Sequence, residues 1–299
     1  MNPTIREIEV KNVVTKSNIP VTDYCVNPYV GCTHACKYCY ACFMKKFTGH
    51  EEEWGTFLDV KTWNKIKNPN RYAGKKFFMS SVTDPYNPQE EIYKRTREFL
   101  ETFQGVDINL SLQTKSDLIL RDLDLIKTFK NVRVGFSINT LDENFKNDMD
   151  NAVSIERRLA AIKILHAAGI RTTCFISPIF PGITDVTAII DAAKDFCNLV
   201  WLENLNLRGN FKPRIFDYIR EKFPNLLPLY NEIYRRKDMR YWFQLHQVIN
   251  DYAQKNNLEY VRNRDDLHRS FDEPPVIVNF FFHEQIKKRQ VISGGEAIE

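Results

Sequence analysis

An α/β fold is predicted by three observations. Between residues 72 and 205, short alternating or apolar runs exchange regularly with amphipathic stretches at helical spacing. The strand-like runs carry one apolar and one polar face. From residue 206 onward this regular exchange stops. Repeated βα units build a parallel sheet under helices, eight of which close a barrel. About six are counted here, which predicts a partial (β/α)6 TIM-like barrel over residues 1–205, followed by a mixed, mainly helical C-terminal extension over 206–299 that covers the barrel mouth.

The elements follow in order. Strands are expected around 23–29 and over 76–81, 107–113, 131–137, 171–177 and 199–205. A helix is expected after the clustered cysteines, and others over 89–103, 117–129, 155–168 and 184–197. In 155–168 the apolar stripe is Ile155, Leu159, Ile162, Leu165 and Ala168, and Gly169 is placed to end the helix. The extension reads as helices over 211–223 and 226–256 and a strand over 276–282. Along 107–113 the apolar side chains are Ile108, Leu110 and Leu112, with Asn109, Ser111 and Gln113 opposite and Lys115 beyond in the same phase. Along 131–137 the second face is Arg133, Gly135 and Ser137. Leaving so many polar groups unsatisfied inside a barrel would cost about 1–3 kcal/mol each. The lumen is therefore expected to be wet or to hold a ligand.

Composition excludes several classes. The chain has 299 residues, 43% hydrophobic and 27% charged, with 11 Gly and 13 Pro, so it is neither disordered nor collagenous. No apolar run reaches the roughly 18 residues of a membrane span, and the first residues lack a secretory pattern; a cytoplasmic location without membrane partners is expected. A net charge of +4 is too small to argue for nucleic acid.

Seven cysteines are present, and Cys32, Cys36, Cys39 and Cys42 fall within eleven residues. An odd count in a chain of this length does not suit a disulfide framework. The first three are spaced C-x3-C-x2-C, tight enough to wrap one small inorganic body. A [4Fe–4S] cube held by three cysteines keeps one iron open for a reactive ligand, and Gly31 lets the backbone approach it. A structural zinc site using these cysteines with Cys42 or His34 is the alternative.

This motif, in a loop after the first strand of a partial barrel, resembles radical S-adenosylmethionine (SAM) enzymes. Over about 24–205 it is similar to the spore photoproduct lyase-like subgroup. The marks are Cys-Lys-Tyr-Cys-Tyr (36–40), Ser-Ser-Val-Thr-Asp-Pro-Tyr-Asn-Pro (80–88), Gln-Thr-Lys-Ser (113–116) before Arg121-Asp122-Leu123, Gly-Phe-Ser-Ile-Asn (135–139), Arg158 opening a helix that runs to Ala-Gly-Ile (168–170), and Ile-Ser-Pro-Ile-Phe-Pro-Gly (176–182). The resemblance implies a [4Fe–4S] cluster on Cys32, Cys36 and Cys39, and a one-electron donor of flavodoxin or ferredoxin type. It further implies reductive cleavage of SAM to a 5′-deoxyadenosyl radical that abstracts hydrogen from substrate.

On the same basis Lys115 is expected at the SAM carboxylate, and Thr83 and Asp84 at its ammonium or ribose, although Asp84-Pro85 also suits a turn. Ser137 is expected against SAM, Arg158 against a ligand carboxylate or Glu156, Tyr38 beside cluster and adenosine, and Tyr40 at the barrel mouth against substrate. The subgroup's hydrogen-donor cysteine aligns with Ser81, and O–H is a poor hydrogen-atom donor. The chain is therefore not expected to be a true spore photoproduct lyase, unless Cys42 or Cys174 substitutes. A peptide or protein substrate is preferred over a DNA photolesion, because the extension is not strongly basic, with 16 Lys/Arg against 13 Asp/Glu. In the DNA reading, Tyr241, Trp242 and Phe243 would stack a flipped base. A non-catalytic cluster-binding protein is the third possibility.

Overall fold

The computed structural model describes residues 3–19, 22–207, 209, 211–262 and 270–279. Its main sheet contains nine strands. They are β2 (Val14–Lys16), β3 (Tyr24–Val26), β6 (Lys76–Met79), β7 (Asn109–Thr114), β8 (Asn131–Ser137), β9 (Arg171–Ile179), β10 (Leu199–Asn204), β11 (Tyr260–Arg262) and β12 (Val276–Asn279). From β3 through β6, β7, β8, β9, β10 and β12 to β11 all neighbours are parallel, and β2 closes one edge antiparallel to β3. β2 and β11 do not pair, so the curved sheet stays an open, TIM-like partial barrel. All six strands expected before residue 206 are present.

The outer face carries the alternate apolar residues of the strands, among them Leu110, Leu112, Val132, Val134 and Phe136. They pack with Leu100, Phe103, Ile162, Leu165, Ile189 and Ile190 from the covering helices in one core. Burial of a side chain of this size contributes about 1.5–3 kcal/mol, so this face holds the helices on the sheet. The helix Ile155–Ala167 starts at Ser154, whose side chain accepts from Arg157 N, and ends before Gly169 at φ +81°, as the glycine predicts.

Several expectations change. Residues 89–103 form two helices, Glu90–Tyr93 and Arg95–Phe103, because Lys94 turns left-handed at φ +52°. Residues 226–256 likewise divide into Leu227–Tyr234 and Arg240–Lys255, with Lys237 at φ +61° between them. The chain after the cysteines is a 3-10 helix, Tyr40–Phe47. A small second sheet, β1 (Thr4–Val10), β5 (Phe57–Trp63) and β4 (Tyr29–Gly31), had no counterpart in the sequence reading. Gly31, at φ +86°, is needed here for a different reason than cofactor approach. A Cβ would lie 2.5 Å from the Phe57 carbonyl oxygen of the neighbouring strand.

The residues after 205 pack in two places. β12 continues the barrel wall beside β10, and Trp242, Ile249 and Ile277 belong to the main core. The helices Phe211–Lys222 and Leu227–Tyr234 pack instead against Tyr38, Phe145 and Phe180, at the cysteine loop. The late strand is described to Asn279; residues 280–282 of that expectation lie outside the described residues. Among the described residues no helix is long and apolar enough to cross a membrane.

Candidate functional site

Parallel strands place all their C-terminal ends together, and there the chain gathers its unusual residues. A cavity of about 1920 Å³ runs inside the curved sheet. Cys32, Cys36 and Cys39 line it, as do Tyr38, Tyr40, Cys42, Thr83, Asp84, Lys115 and Ser137. The expected polar faces do turn inward: Asn109, Ser111 and Gln113 from β7 and Arg133 and Ser137 from β8.

The cysteine loop is fixed by its own turns and by two neighbours. Ala35 N donates to Cys32 O at 3.2 Å, and Cys39 N to Cys36 O at 3.1 Å. Lys37 N donates to Met149 O and Asn151 N to His34 O, which ties the loop to residues 149–151. From the other side Thr83 Oγ1 donates to Gly31 O at 2.6 Å. Burial raises the pKa of all three thiols, that of Cys36 to about 12 despite the nearby Lys115. An entering metal therefore has to displace their protons.

Asp84 is where the structure departs from expectation. Its carboxylate accepts from Tyr86 N at 2.9 Å, Thr114 Oγ1 at 2.7 Å and Lys115 N at 2.8 Å. His34 Nε2 lies 3.2 Å from its other side, an ion-pair contact rather than an aligned hydrogen bond. Burial alone would raise its pKa, but His34, Thr114 and the turn amide outweigh that and hold it low. With its oxygens so engaged, Asp84 braces the loop of Cys32–Cys36 against the end of β7.

Arg158 takes internal partners other than Glu156. It is fully buried, pairing with Asp150 Oδ1 at 2.8 Å and donating to the backbone oxygens of Ser137 and Val153. It meets neither Glu156 nor the cavity. Asp150 also accepts from Tyr38 OH at 3.1 Å, so the pair anchors the cluster loop to the end of β8. Burial would raise the Asp150 pKa; Arg158 and then Lys115 override it and keep it below the usual carboxylate range. Sequence gave no sign of this, since Tyr38 and Asp150 are 112 residues apart.

Tyr38 lies edge-on to Phe180, with the Lys115 ammonium 5.6 Å from its ring. Tyr40 is 61% exposed and bridges the mouth, its hydroxyl donating to the Ser81 carbonyl. Cys42 sits on the 3-10 helix behind Cys39. Cys174 is wholly buried in the main core, on the outer face of β9, whereas Thr173 and Phe175 beside it face the cavity. Period-two alternation puts Cys174 on the wrong side for chemistry. Sequence reasoning also missed Glu203, which lines the cavity and accepts from Ser177 Oγ at 2.8 Å. Burial raises its pKa to about 7. Its place in phase with Trp201 along 199–205 was the available signal.

Two features suit a cluster with SAM. His34 is turned to Asp84. At the C-terminal end of β10 the cavity wall also carries a buried polar atom without a partner among the described residues, Asn204 Oδ1, suited to a polar ligand.

Such a barrel with a three-cysteine loop at the C-terminal strand ends defines a radical SAM enzyme. Residues 26–193 match the Radical SAM superfamily model, and the chain belongs to that family. Its cofactors are accordingly a [4Fe–4S] cluster and SAM, and it requires a one-electron donor.

An uncharacterized protein of Methanocaldococcus jannaschii is 39% identical over 221 residues, 74% of this chain and 84% of that one. An uncharacterized protein of Mycobacterium tuberculosis is 27% identical over 230 residues, covering 71% and 67%. Among solved structures, a variant of spore photoproduct lyase with bound AdoMet and dinucleoside spore photoproduct superposes with a TM-score of 0.54 at 17% identity. The match covers 74% of this chain and 66% of that one. Streptococcus suis SuiB bound to its precursor peptide SuiA gives 0.51 at 12% identity, covering 89% and 50%. This chain thus spans about two thirds and one half of those two proteins, and at such identities they share the fold.

Proposed function

We propose that this enzyme uses SAM and its cluster to abstract a hydrogen atom from a bulky substrate, a peptide or protein, inside the barrel cavity. When bound, the two groups supply a 5′-deoxyadenosyl radical. The observation that carries the reading is the cavity itself: three cysteines at one end of about 1920 Å³, with polar side chains continuing far beyond them. In this reading Cys32, Cys36 and Cys39 ligate the cluster, and Lys115 pairs with the SAM carboxylate. Thr83 and Ser137 flank SAM, Tyr38 shields cluster and adenosine, and Tyr40 and Cys42 stand where substrate enters. Asp84 and Arg158 hold these groups in place without touching the ligand. The seven free thiols suit the cytoplasm and an electron donor of flavodoxin or ferredoxin type.

A nucleic-acid lesion is the second reading, favoured by eight Lys/Arg against two Asp/Glu around the cavity. Its stacking platform does not form, however. Trp242 is 1% exposed in the core, Tyr241 OH accepts from Gly182 N, and only Phe243 of the three is exposed. Deuterium transfer decides between the readings. With SAM and dithionite, deuterium from a deuterated peptide pool should enter 5′-deoxyadenosine. Transfer from deuterated irradiated DNA alone would reverse the assignment.

A further inference from the structure

The cavity continues well past the groups that cofactor binding uses, reaching Asn109, Asn131 and Arg171 at the starts of their strands. Arg133 stands in this deeper part. It precedes Ser137 by four residues on β8 in the same phase, roughly 13 Å further down at about 3.3 Å per residue. Its Nε is shielded from solvent and has no hydrogen-bond partner, and no carboxylate among the described residues pairs with it. Among the described residues the charged group that acts on it is a like charge, Arg171, its register neighbour on β9; burial and that neighbour both disfavour the cation. Arginine keeps its proton in proteins, so a guanidinium held here without an anion is an uncompensated charge.

The row above it is equally incomplete. Gln113, Gly135 and Thr173 are register neighbours across three strands. Gln113 Oε1 and Thr173 Oγ1 are buried without partners. Gly135 leaves the space that the Gln113 amide fills, since a Cβ there would lie 2.3–2.5 Å from it. A side chain at 135 would drive Gln113 off this wall.

We propose that this deep row is a substrate subsite: Arg133 takes a single carboxylate of the peptide or protein, while Gln113 and Thr173 hydrogen-bond the adjoining amide. The inference rests on the peptide reading above. One half-buried cation with a shielded Nε suits one carboxylate. Between Arg133 and Lys115 the wall offers Gln113, Gly135 and Ser137, all neutral, whereas a phosphodiester chain is tracked by successive cations. The lysines at the lower rim, Lys76, Lys127 and Lys130, are exposed and contribute little.

The test uses calorimetric titration of the anaerobically reconstituted full chain with SAM. Three probes are compared: an N-acetylated, C-terminally amidated glutamyl tripeptide, its glutaminyl counterpart and a thymidylate tetramer. Wild type should bind the glutamyl peptide about tenfold or more tighter than the glutaminyl one. Arg133→Met should erase that preference and Arg133→Lys should keep part of it. Because Arg133→Met removes an unpaired charge, the Tm of the unliganded chain should rise, by about 2 °C or more.

Equal affinity of wild type for both peptides, or a preference that survives Arg133→Met, overturns the subsite. So does tetramer binding through Arg133 without peptide binding, or failure of Arg133→Met to fold, which would make the residue structural. 5′-Deoxyadenosine formation by the same wild-type sample judges the function separately from the peptide comparison.

Discussion

The two ends of the cavity are built on opposite rules. At the cysteine end nearly every charged group already has an internal partner: Asp84 with His34 and three donors, and Asp150 with Arg158 and Tyr38. At the far end Arg133, Gln113 and Thr173 keep polar atoms unused. Bracing by buried networks fixes geometry before a ligand arrives, which suits a resident cluster. Unspent hydrogen-bonding capacity is what a transient guest must supply, at a standing cost in stability. The barrel thus separates the part that must not move from the part that must be filled.

Mutations that break this contrast should differ in kind and size. Asp150→Ala leaves Arg158 as a buried unpaired charge and should destabilise the fold by about 3–5 kcal/mol in urea. The Asp150 pKa is depressed in the fold. Its contribution is therefore complete above the ordinary carboxylate pKa and lost as pH falls through the lower folded value. Acid unfolding should accordingly lose part of its steepness in Asp150→Asn.

Glu203 behaves oppositely. Its pKa is raised to about 7, so the folded state keeps a proton that the unfolded chain has released. Stability should fall as pH rises from about 4 to 7. Glu203→Gln should be more stable than wild type by about 2 kcal/mol at pH 8, a difference that vanishes below about pH 4. Lys115→Ala should raise the SAM Kd roughly tenfold, read by anaerobic equilibrium dialysis. Cys174→Ala should cost about 1 kcal/mol of core packing and leave 5′-deoxyadenosine formation intact.

Strand phase and the cysteine spacing were legible in sequence because each is local. Alternation along 107–113 and 131–137 assigned the lumen side correctly, and the spacing of Cys32, Cys36 and Cys39 marked the site. What escaped was long-range. Arg158 looked like a ligand contact because its partner Asp150 cannot be identified without the fold. Asp84 carries a turn signal and a site signal at once, and only its contacts with Thr114 and Lys115 separate them. Cys174 was legible in principle: it alternates out of phase with Thr173 and Phe175. The break at Lys237 carries no glycine or proline to announce it.

The central claim is that three thiols in one loop hold a cluster that cleaves SAM. It is tested most directly by anaerobic reconstitution with iron and sulfide, followed by SAM and dithionite, in wild type and Cys36→Ala. Wild type should take up about four irons per chain and release 5′-deoxyadenosine, while Cys36→Ala should do neither. Wild type that binds one zinc and forms no 5′-deoxyadenosine, or Cys36→Ala that retains both properties, would contradict the account.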